Sequence, residues 1–366
     1  MSPPNAFFGT LAWLGREIAL LFRINASDRP WQMPFAAALA SGLPLVVGAW
    51  FDHLSYGLVS SLGGLVFLYM PATTLSHRMV MLMACAFGMT ASYTLGLITH
   101  FVPAALVPVV AFITVLAVML CRFYGVGMPG GLFFVMCASI AAYSPIGVLD
   151  VPLMVGLFSM GTLLACLLAF FYSVYILRRR VPLPIPPLPT PSFETMVFDP
   201  LVIGVFVGCS LLVAQLLGLE KAYWAPVSCL VVIQGVTLRA VWTRKLQRIA
   251  GTSVGLVLAW GVLHLPLDKW MVAAVMMVLA FIVETLVVRQ YAFAAIFLTP
   301  MAILLAEAAS LGHASPTTLV QARFVDIVLG SFIGLLGGIC LHSPAFRRFG
   351  TANLWRLVPG RFRGKA

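Results

Sequence analysis

Long apolar runs dominate the chain, and short polar breaks, many of them carrying Arg or Lys, separate them. An α-helix needs about 20 apolar residues to cross about 30 Å of hydrocarbon. Twelve such spans are expected, at 31–51, 55–73, 78–99, 102–121, 129–146, 152–177, 199–218, 222–239, 249–266, 270–288, 291–311 and 318–341. The expected fold class is all-α, a polytopic membrane protein. Ahead of the first span, Phe7, Phe8, Leu11, Trp13, Leu14, Ile18, Leu21 and Phe22 recur at roughly helical spacing, interrupted by Arg16, Glu17 and Arg23. That pattern predicts an amphipathic helix lying in the membrane interface. A signal peptide fits less well, because the stretch has neither a basic n-region nor a small-residue cleavage site.

The stretch from Tyr223 to Trp260 reads as a transmembrane hairpin. Tyr223 and Trp224 would sit at one interface, where amphipathic rings suit the headgroups. Arg239, Arg244, Lys245 and Arg248 would mark the opposite, cytoplasmic turn. Gly251 and Gly255 form a small-xxx-small face that lets another helix approach closely.

Between the sixth and seventh spans, six prolines from Pro182 to Pro191 predict a stiff, extended linker. The two halves that flank it resemble each other. Moving the second back by 167 positions brings Tyr223 onto Tyr56, Gly255 onto Gly88, and Gly251 and Ala259 onto Ala84 and Ser92. Gly330 falls on Gly161 at an offset of 169. Six spans per half is an even number, so the halves form parallel repeats about an axis along the membrane normal. The expected division is an interfacial segment at 1–30, a first repeat at 31–180, the linker at 181–197, a second repeat at 198–342 and a basic tail at 343–366.

Composition supports the membrane class. Hydrophobic residues are 61% of the chain and charged residues 9%, against about 25% charged in a soluble domain. The formal charge of +11 changes the picture only through its distribution. With the N-terminus inside, 19 of the 22 basic residues fall on the cytoplasmic side, and only Lys221, Lys269 and Arg323 fall elsewhere. Asp52, Asp150, Glu220 and Asp268 lie in the outer loops. The charge is thus a topology signal with affinity for anionic lipid, and it argues against nucleic acid. The 7 cysteines form no CxxC or Cys/His cluster and read as small apolar residues.

Ionisable groups within spans are costly and face the bundle interior or a water-filled cavity. Four are expected there: Glu284, Glu307, Arg323 and Asp326. All lie in the second half; Met154 and Leu157 occupy the places matching Arg323 and Asp326. Arg323 and Asp326 share a helix face, which allows either a structural ion pair or a protonatable coupling carboxylate with Arg323 as partner. Glu307 could pair with Arg323 or meet water, and Glu284 is one turn from Arg289. The basic turn is either topology alone or a set, Arg244, Lys245 and Arg248, that concentrates an organic anion at the cytoplasmic mouth. Thr252 and the amides near Gly251, at a helix N-terminus, would add an anion-favouring dipole end. Tyr223, Trp224, Trp242, Phe293 and Phe297 could wall an aromatic ligand. The histidines lack metal-ligand spacing, no P-loop is present, and no cofactor or catalytic constellation is expected.

YWAPVS at 223–228, the run Arg248-Ile249-Ala250-Gly251-Thr252-Ser253-Val254-Gly255, the Thr299 region, and Arg323-Phe324-Val325-Asp326 followed by Gly330 resemble the conserved blocks of the fusaric acid resistance and aromatic acid exporter family. The resemblance covers roughly Phe198 to Leu341. It implies an inner-membrane exporter of aromatic carboxylic acids or related toxic organics, driven by the proton gradient. It also implies work beside a periplasmic membrane-fusion protein, with Arg248 at the basic position of the motif. Longer family members carry a large cytoplasmic domain that has no counterpart in this sequence. A passive organic-anion channel is an alternative, since the plant malate-channel family resembles this one. A membrane enzyme or envelope-assembly scaffold is a third. Oligomeric state is open.

Overall fold

The computed structural model describes residue 26 and residues 29–188, 192–235, 238–307 and 316–357, with side chains described except at 238–245, 307, 316, 318–319 and 354–357. The expected interfacial helix at 4–24 lies outside the described residues, as does the last part of the tail. Among the described residues the elements are all helical. In chain order the α-helices are α1 (Gln32–Trp50), α2 (Leu54–Gly64), α3 (Leu75–His100), α4 (Pro103–Phe123), α5 (Leu132–Ala142), α6 (Val151–Leu177), α7 (Asp199–Leu216), α8 (Trp224–Ile233), α9 (Leu238–Leu263), α10 (Lys269–Leu286), α11 (Tyr291–Glu307), α12 (Pro316–His342) and α13 (Pro344–Leu357). A 3-10 segment, Leu65–Tyr69, prolongs α2, and a π-helical turn, Glu194–Phe198, opens α7.

Among the described residues eight helices are long and apolar enough to cross a membrane, against the twelve spans expected. The other apolar helices are shorter: Leu54–Tyr69, Leu132–Ala142, Trp224–Ile233 and Tyr291–Ala306. The reason is local. Ahead of α5, Gly125 and Gly130 adopt φ of 62° and 60°, conformations that glycine accepts and a helix does not. A ten-residue helix such as α8 rises only about 15 Å, half the hydrocarbon thickness. Its ten residues are all buried, as a helix apolar on every side requires.

A correction concerns the basic stretch. Helix α8 ends at Ile233, and α9 begins at Leu238. Residues 239–248 therefore form the first turns of a 26-residue helix and not a turn between spans. Arg, Lys, Leu and Gln are all good helix formers, and Gly235 supplies the break. Gly251 consequently lies in the middle of α9, and no helix N-terminus presents amides there.

In the first half α2 packs between α1 and α6, while α3 packs on α4, α5 and α6. In the second half α8 packs on α7 and α12, and α9 packs on α11 and α12. The halves meet where α1 lies on α10, α4 on α7, and α5 on α8. Ion pairs clamp two of these seams. Arg29 pairs with Glu284 at 3.5 Å at one end of the α1–α10 seam, and Lys269 pairs with Asp52 at the other. Arg122 pairs with Asp199 at 2.7 Å across the α4–α7 seam. The hydrogen bond from Lys269 holds the exposed Asp52 carboxyl below its ordinary range. Its contribution is complete above the unfolded value near pH ~4 and is lost only as pH falls through the lower folded one. This clamp therefore persists at neutral pH.

Small residues bring the helices close. A Cβ on Gly161 would run into the Ser60 carbonyl between α6 and α2, and one on Gly330 into the Ala225 carbonyl between α12 and α8. Gly330→Ala should lower the thermal midpoint of the detergent-purified protein, because overpacking costs about 1–3 kcal/mol. Gly156→Ala, where a Cβ meets nothing within 4 Å, should leave the midpoint unchanged or raise it. Equal midpoints for the two variants in a thermal-shift assay would contradict the close α8–α12 approach.

Candidate functional site

Helix α8 gathers the buried charge of the second half. Its N-cap residue Tyr223 and first residue Trp224 are buried, at 5% and 2% exposure. The Arg323 guanidinium of α12 lies 3.2 Å from the centroid of the Trp224 ring. One turn along α8, Ser228 accepts a hydrogen bond from Arg248 Nη2 at 3.2 Å. Arg248 Nη1 donates to the Tyr291 hydroxyl at 3.0 Å. Helices α8, α9, α11 and α12 thus converge on two arginines anchored about 6 Å apart along one helix, a single turn at 1.5 Å per residue.

Arg248 is 4% exposed. Its hydrogen-bond partners are two neutral hydroxyls, and its Nε has no partner. The expected open cytoplasmic mouth is therefore replaced by an enclosed cation. Burying a guanidinium costs several kcal/mol, and hydroxyl dipoles offset this less well than a carboxylate would. Thr252, one turn further along α9, is buried at 2%. Nearby, Gln247 donates to Gln290 at 3.3 Å. Arg244 and Lys245 lie within α9, but their side chains are outside the described residues.

Asp326 is fully buried, and neither of its carboxylate oxygens has a hydrogen-bond partner. It forms no ion pair with Arg323, whose planar head is turned to Trp224. The sequence spacing placed the two on one face, but three residues of helix do not oblige them to touch. Tyr143 caps α5, the helix that packs against α8 from the first half. The Tyr143 ring is 5.5 Å from that of Tyr223, which is 5.2 Å from that of Trp224. Gln215, at the end of α7, donates to the Tyr143 hydroxyl at 3.1 Å.

The remaining sequence candidates lie apart from this cluster or outside the described side chains. Glu284 takes Arg29 as its partner and not the neighbouring Arg289. The side chain of Glu307 is outside the described residues. No group of His, Cys, Asp and Glu suited to a metal occurs among the described residues.

Sequence reasoning missed several polar partners. Ser228 is the last residue of the YWAPVS run, and only the fold shows that it holds Arg248. Tyr143 and Gln215 sit at helix ends as single polar residues in apolar surroundings, with no spacing signal. Arg78 in α3 is 5% exposed, donating to the Thr73 carbonyl at 2.8 Å and to Ser173 Oγ at 3.3 Å. It had been read only as a positive-inside residue.

Residues 207–337 match a family model described as fusaric acid resistance protein-like. The fusaric acid resistance protein-like segment encloses Trp224, Ser228, Arg248, Tyr291, Arg323 and Asp326, and it leaves Tyr143 and Arg78 outside. The chain is also 23% identical to the uncharacterized membrane protein YvaC of Bacillus subtilis (strain 168), over 92% of this chain and 76% of that protein. No solved structure matches.

The stack between Arg323 and Trp224 makes a direct prediction. A desolvated cation–π contact is worth about 2 kcal/mol or more. Trp224→Leu should lower the thermal midpoint clearly, and Trp224→Phe should lower it less. A Leu variant as stable as the wild type in detergent melting experiments would leave the stack without energetic weight.

Proposed function

We propose that this protein is a proton-coupled efflux transporter for aromatic carboxylic acids or related small toxic organic anions. The observation that carries the proposal is Arg248, a buried guanidinium held by two hydroxyls with Nε vacant. A carboxylate supplies the charge and the two acceptor oxygens that such a fork takes best. The neighbouring rings of Trp224 and Tyr223 offer apolar faces for an aromatic body. Arg323 is a second cation on the same helix, and Asp326 is the carboxylate that would carry the proton. Arg244 and Lys245, earlier on α9, would assist capture, and Glu284 and Glu307 are the remaining candidates for a relay. The fusaric acid resistance protein-like segment supports transport over catalysis.

The proposal places twelve crossings in the bacterial inner membrane, with the four shorter helices completing their crossings through extended chain. The matched neighbours of the two halves support two parallel six-helix repeats. Helices α2 with α1 and α6, and α3 with α5 and α6, have their counterparts in α8 with α7 and α12, and α9 with α11 and α12. Both termini and the proline linker would be cytoplasmic. Reporter fusions at Pro187 and Ala366 should then report the cytoplasm, and periplasmic activity at either would overturn the topology. A periplasmic membrane-fusion partner and a homo-oligomer belong to the same reading, and co-purification from membranes tests both.

The central test is export of labelled benzoate from everted vesicles or proteoliposomes under an imposed proton gradient. Arg248→Ala should reduce the rate about tenfold or more, the loss of one charge-assisted contact at about 1.4 kcal/mol per factor of ten. Arg248→Lys should recover only part, since an ammonium cannot form the bidentate fork. Asp326→Asn should abolish gradient dependence. Unchanged benzoate flux in Arg248→Ala, at normal protein level, would sink the anion site. Ohmic current without a gradient, insensitive to Asp326→Asn, would mark a channel.

A further inference from the structure

Asp326 poses a question that its role as proton carrier leaves open: what receives the charge once the proton has gone. Both of its oxygens are buried and without hydrogen-bond partners. A carboxylate ionised in that state would bear nearly its whole desolvation cost. The groups facing it are few. On its own helix the charged neighbour is Arg323, whose head lies flat on Trp224. From α5 comes Tyr143, and from the start of α8 comes the phenol of Tyr223. The end of α7 contributes the neutral amide of Gln215. Within the described side chains of α9, the ionisable group is Arg248, whose Nη1 and Nη2 donate to Tyr291 and Ser228. Asp199 of α7 and Arg347 of α13 are bound up with each other and with Arg122 and Glu194 near the opposite end of α12. Arg348 of α13 donates to the Pro344 carbonyl of its own helix.

Tyr143 is the group whose hydrogen-bonding capacity matches. Its hydroxyl accepts from Gln215 Nε2 at 3.1 Å, and that is its one hydrogen bond. The O–H proton is therefore unspent. A phenol can donate one hydrogen bond while accepting another. An unspent donor and two unspent acceptors thus lie at the same end of α8: the Tyr143 ring is 5.5 Å from that of Tyr223, its N-cap, and Asp326 is one turn before Gly330, which packs on the Ala225 carbonyl. They belong to different halves of the chain, since Tyr143 caps α5 and Asp326 lies on α12, and both stand against α8.

The geometry points to Tyr143 as a positioning residue, the donor that Asp326 takes up when it ionises, so that loss of the proton draws the end of α5 towards α12 across the seam between the halves. Asp326 releases its proton to water. Tyr143 keeps its own and shares it in the new hydrogen bond. Gln215 holds the phenol oxygen so that its proton can turn towards the carboxylate. This rests on the proposal that Asp326 titrates during transport, and it adds the residue through which the first half would register that titration. A hydrogen bond to the ionised form favours ionisation. Stability conferred by the Tyr143 hydroxyl through this bond should therefore be absent at low pH and appear as pH rises.

The test is a double-mutant cycle on the full chain in detergent or nanodiscs, with thermal midpoints measured from about pH 4 to about pH 9. The gap between the wild type and Tyr143→Phe should widen by about 2 °C or more with rising pH. In an Asp326→Asn background the gap should stay flat. A purely structural Tyr143, holding only Gln215, would give a constant gap in both backgrounds, and that result would overturn the inference. A second measurement keeps the hydroxyl in place. A 3-fluorotyrosine at position 143 should show a 19F shift that titrates in the wild type and is constant in Asp326→Asn, and a shift insensitive to Asp326 also overturns the inference. Neither readout needs the substrate, so benzoate export separates the two readings. If Asp326→Asn still exports against a gradient while the cycle shows coupling, the transport reading fails and the contact stands. If the cycle is flat while Asp326→Asn abolishes gradient dependence, only the Tyr143 assignment fails.

Discussion

A charge enclosed in a helical bundle has to be answered by another charge, by hydrogen bonds or by a ligand, and this constraint organises the second half of the chain. The answer differs at each site. At Arg323 the face of Trp224 is part of the answer, a quadrupole 3.2 Å from the guanidinium. At Arg248 it is two hydroxyls, from Ser228 and Tyr291, which satisfy donors without neutralising charge. At Asp326 no hydrogen bond answers the carboxylate at all. At the edges of the fold the answers are ordinary ion pairs: Arg29 with Glu284, Arg122 with Asp199, Arg347 with Glu194. The contrast separates the two jobs. The pairs of Arg29 with Glu284 and of Arg122 with Asp199 fasten the halves together, while Arg248 at the centre is held by hydroxyls and Asp326 by no hydrogen bond.

Helix α8 makes that centre. It is short because the chain breaks at Gly235 and begins its helix only at Trp224. Being short and buried on every side, it is a post around which α7, α9 and α12 can pack. The glycines of α12 bring that helix onto the α8 backbone, which sets Arg323 and Asp326 at the N-terminal end of the post. Replacing α8 by a full-length span would have carried Ser228 away from the turn that Arg248 reaches. The shortness of the helix is thus part of how two distant stretches of sequence come to share one site.

Much of this was legible beforehand, and the parts that were not have physical reasons. The apolar runs marked where the apolar helices follow one another along the chain, because hydrophobic length is a strong signal in lipid. They did not give helix length inside the bundle. A residue buried against protein and one facing hydrocarbon are equally apolar, so the runs at 129–146 and 222–239 read as full spans when α5 covers 132–142 and α8 covers 224–233. The basic stretch misled for a related reason. Lys and Arg mark a membrane side but do not break a helix, and α9 runs straight through them. Arg248 and Asp326 stood out because charge in an apolar run is rare. Tyr143, Gln215 and Ser228 did not, because uncharged polar residues are common at helix ends and their partners lie 20 to 183 positions away in sequence, as Ser228 does from Arg248 and Tyr143 does from Asp326.

The proposed repeat sharpens the argument about where function sits. Two halves with matching neighbour lists would offer two equivalent centres, one around α2 and one around α8. Their charges differ. At the positions where α12 carries Arg323 and Asp326, α6 carries Met154 and Leu157. Close packing has been kept on both sides, with Gly161 against α2 and Gly330 against α8, while charge has been kept on one. The buried cation of the first half, Arg78, sits at the start of α3 and is held by a backbone carbonyl and Ser173, away from the α5–α8 seam. The first half therefore reaches the charged centre only through what it presents at that seam. Tyr143 is the polar side chain it places there, against the ring of Tyr223. A one-sided centre read from across the seam by a single phenol is the arrangement expected if the first half serves as the frame against which the second half moves.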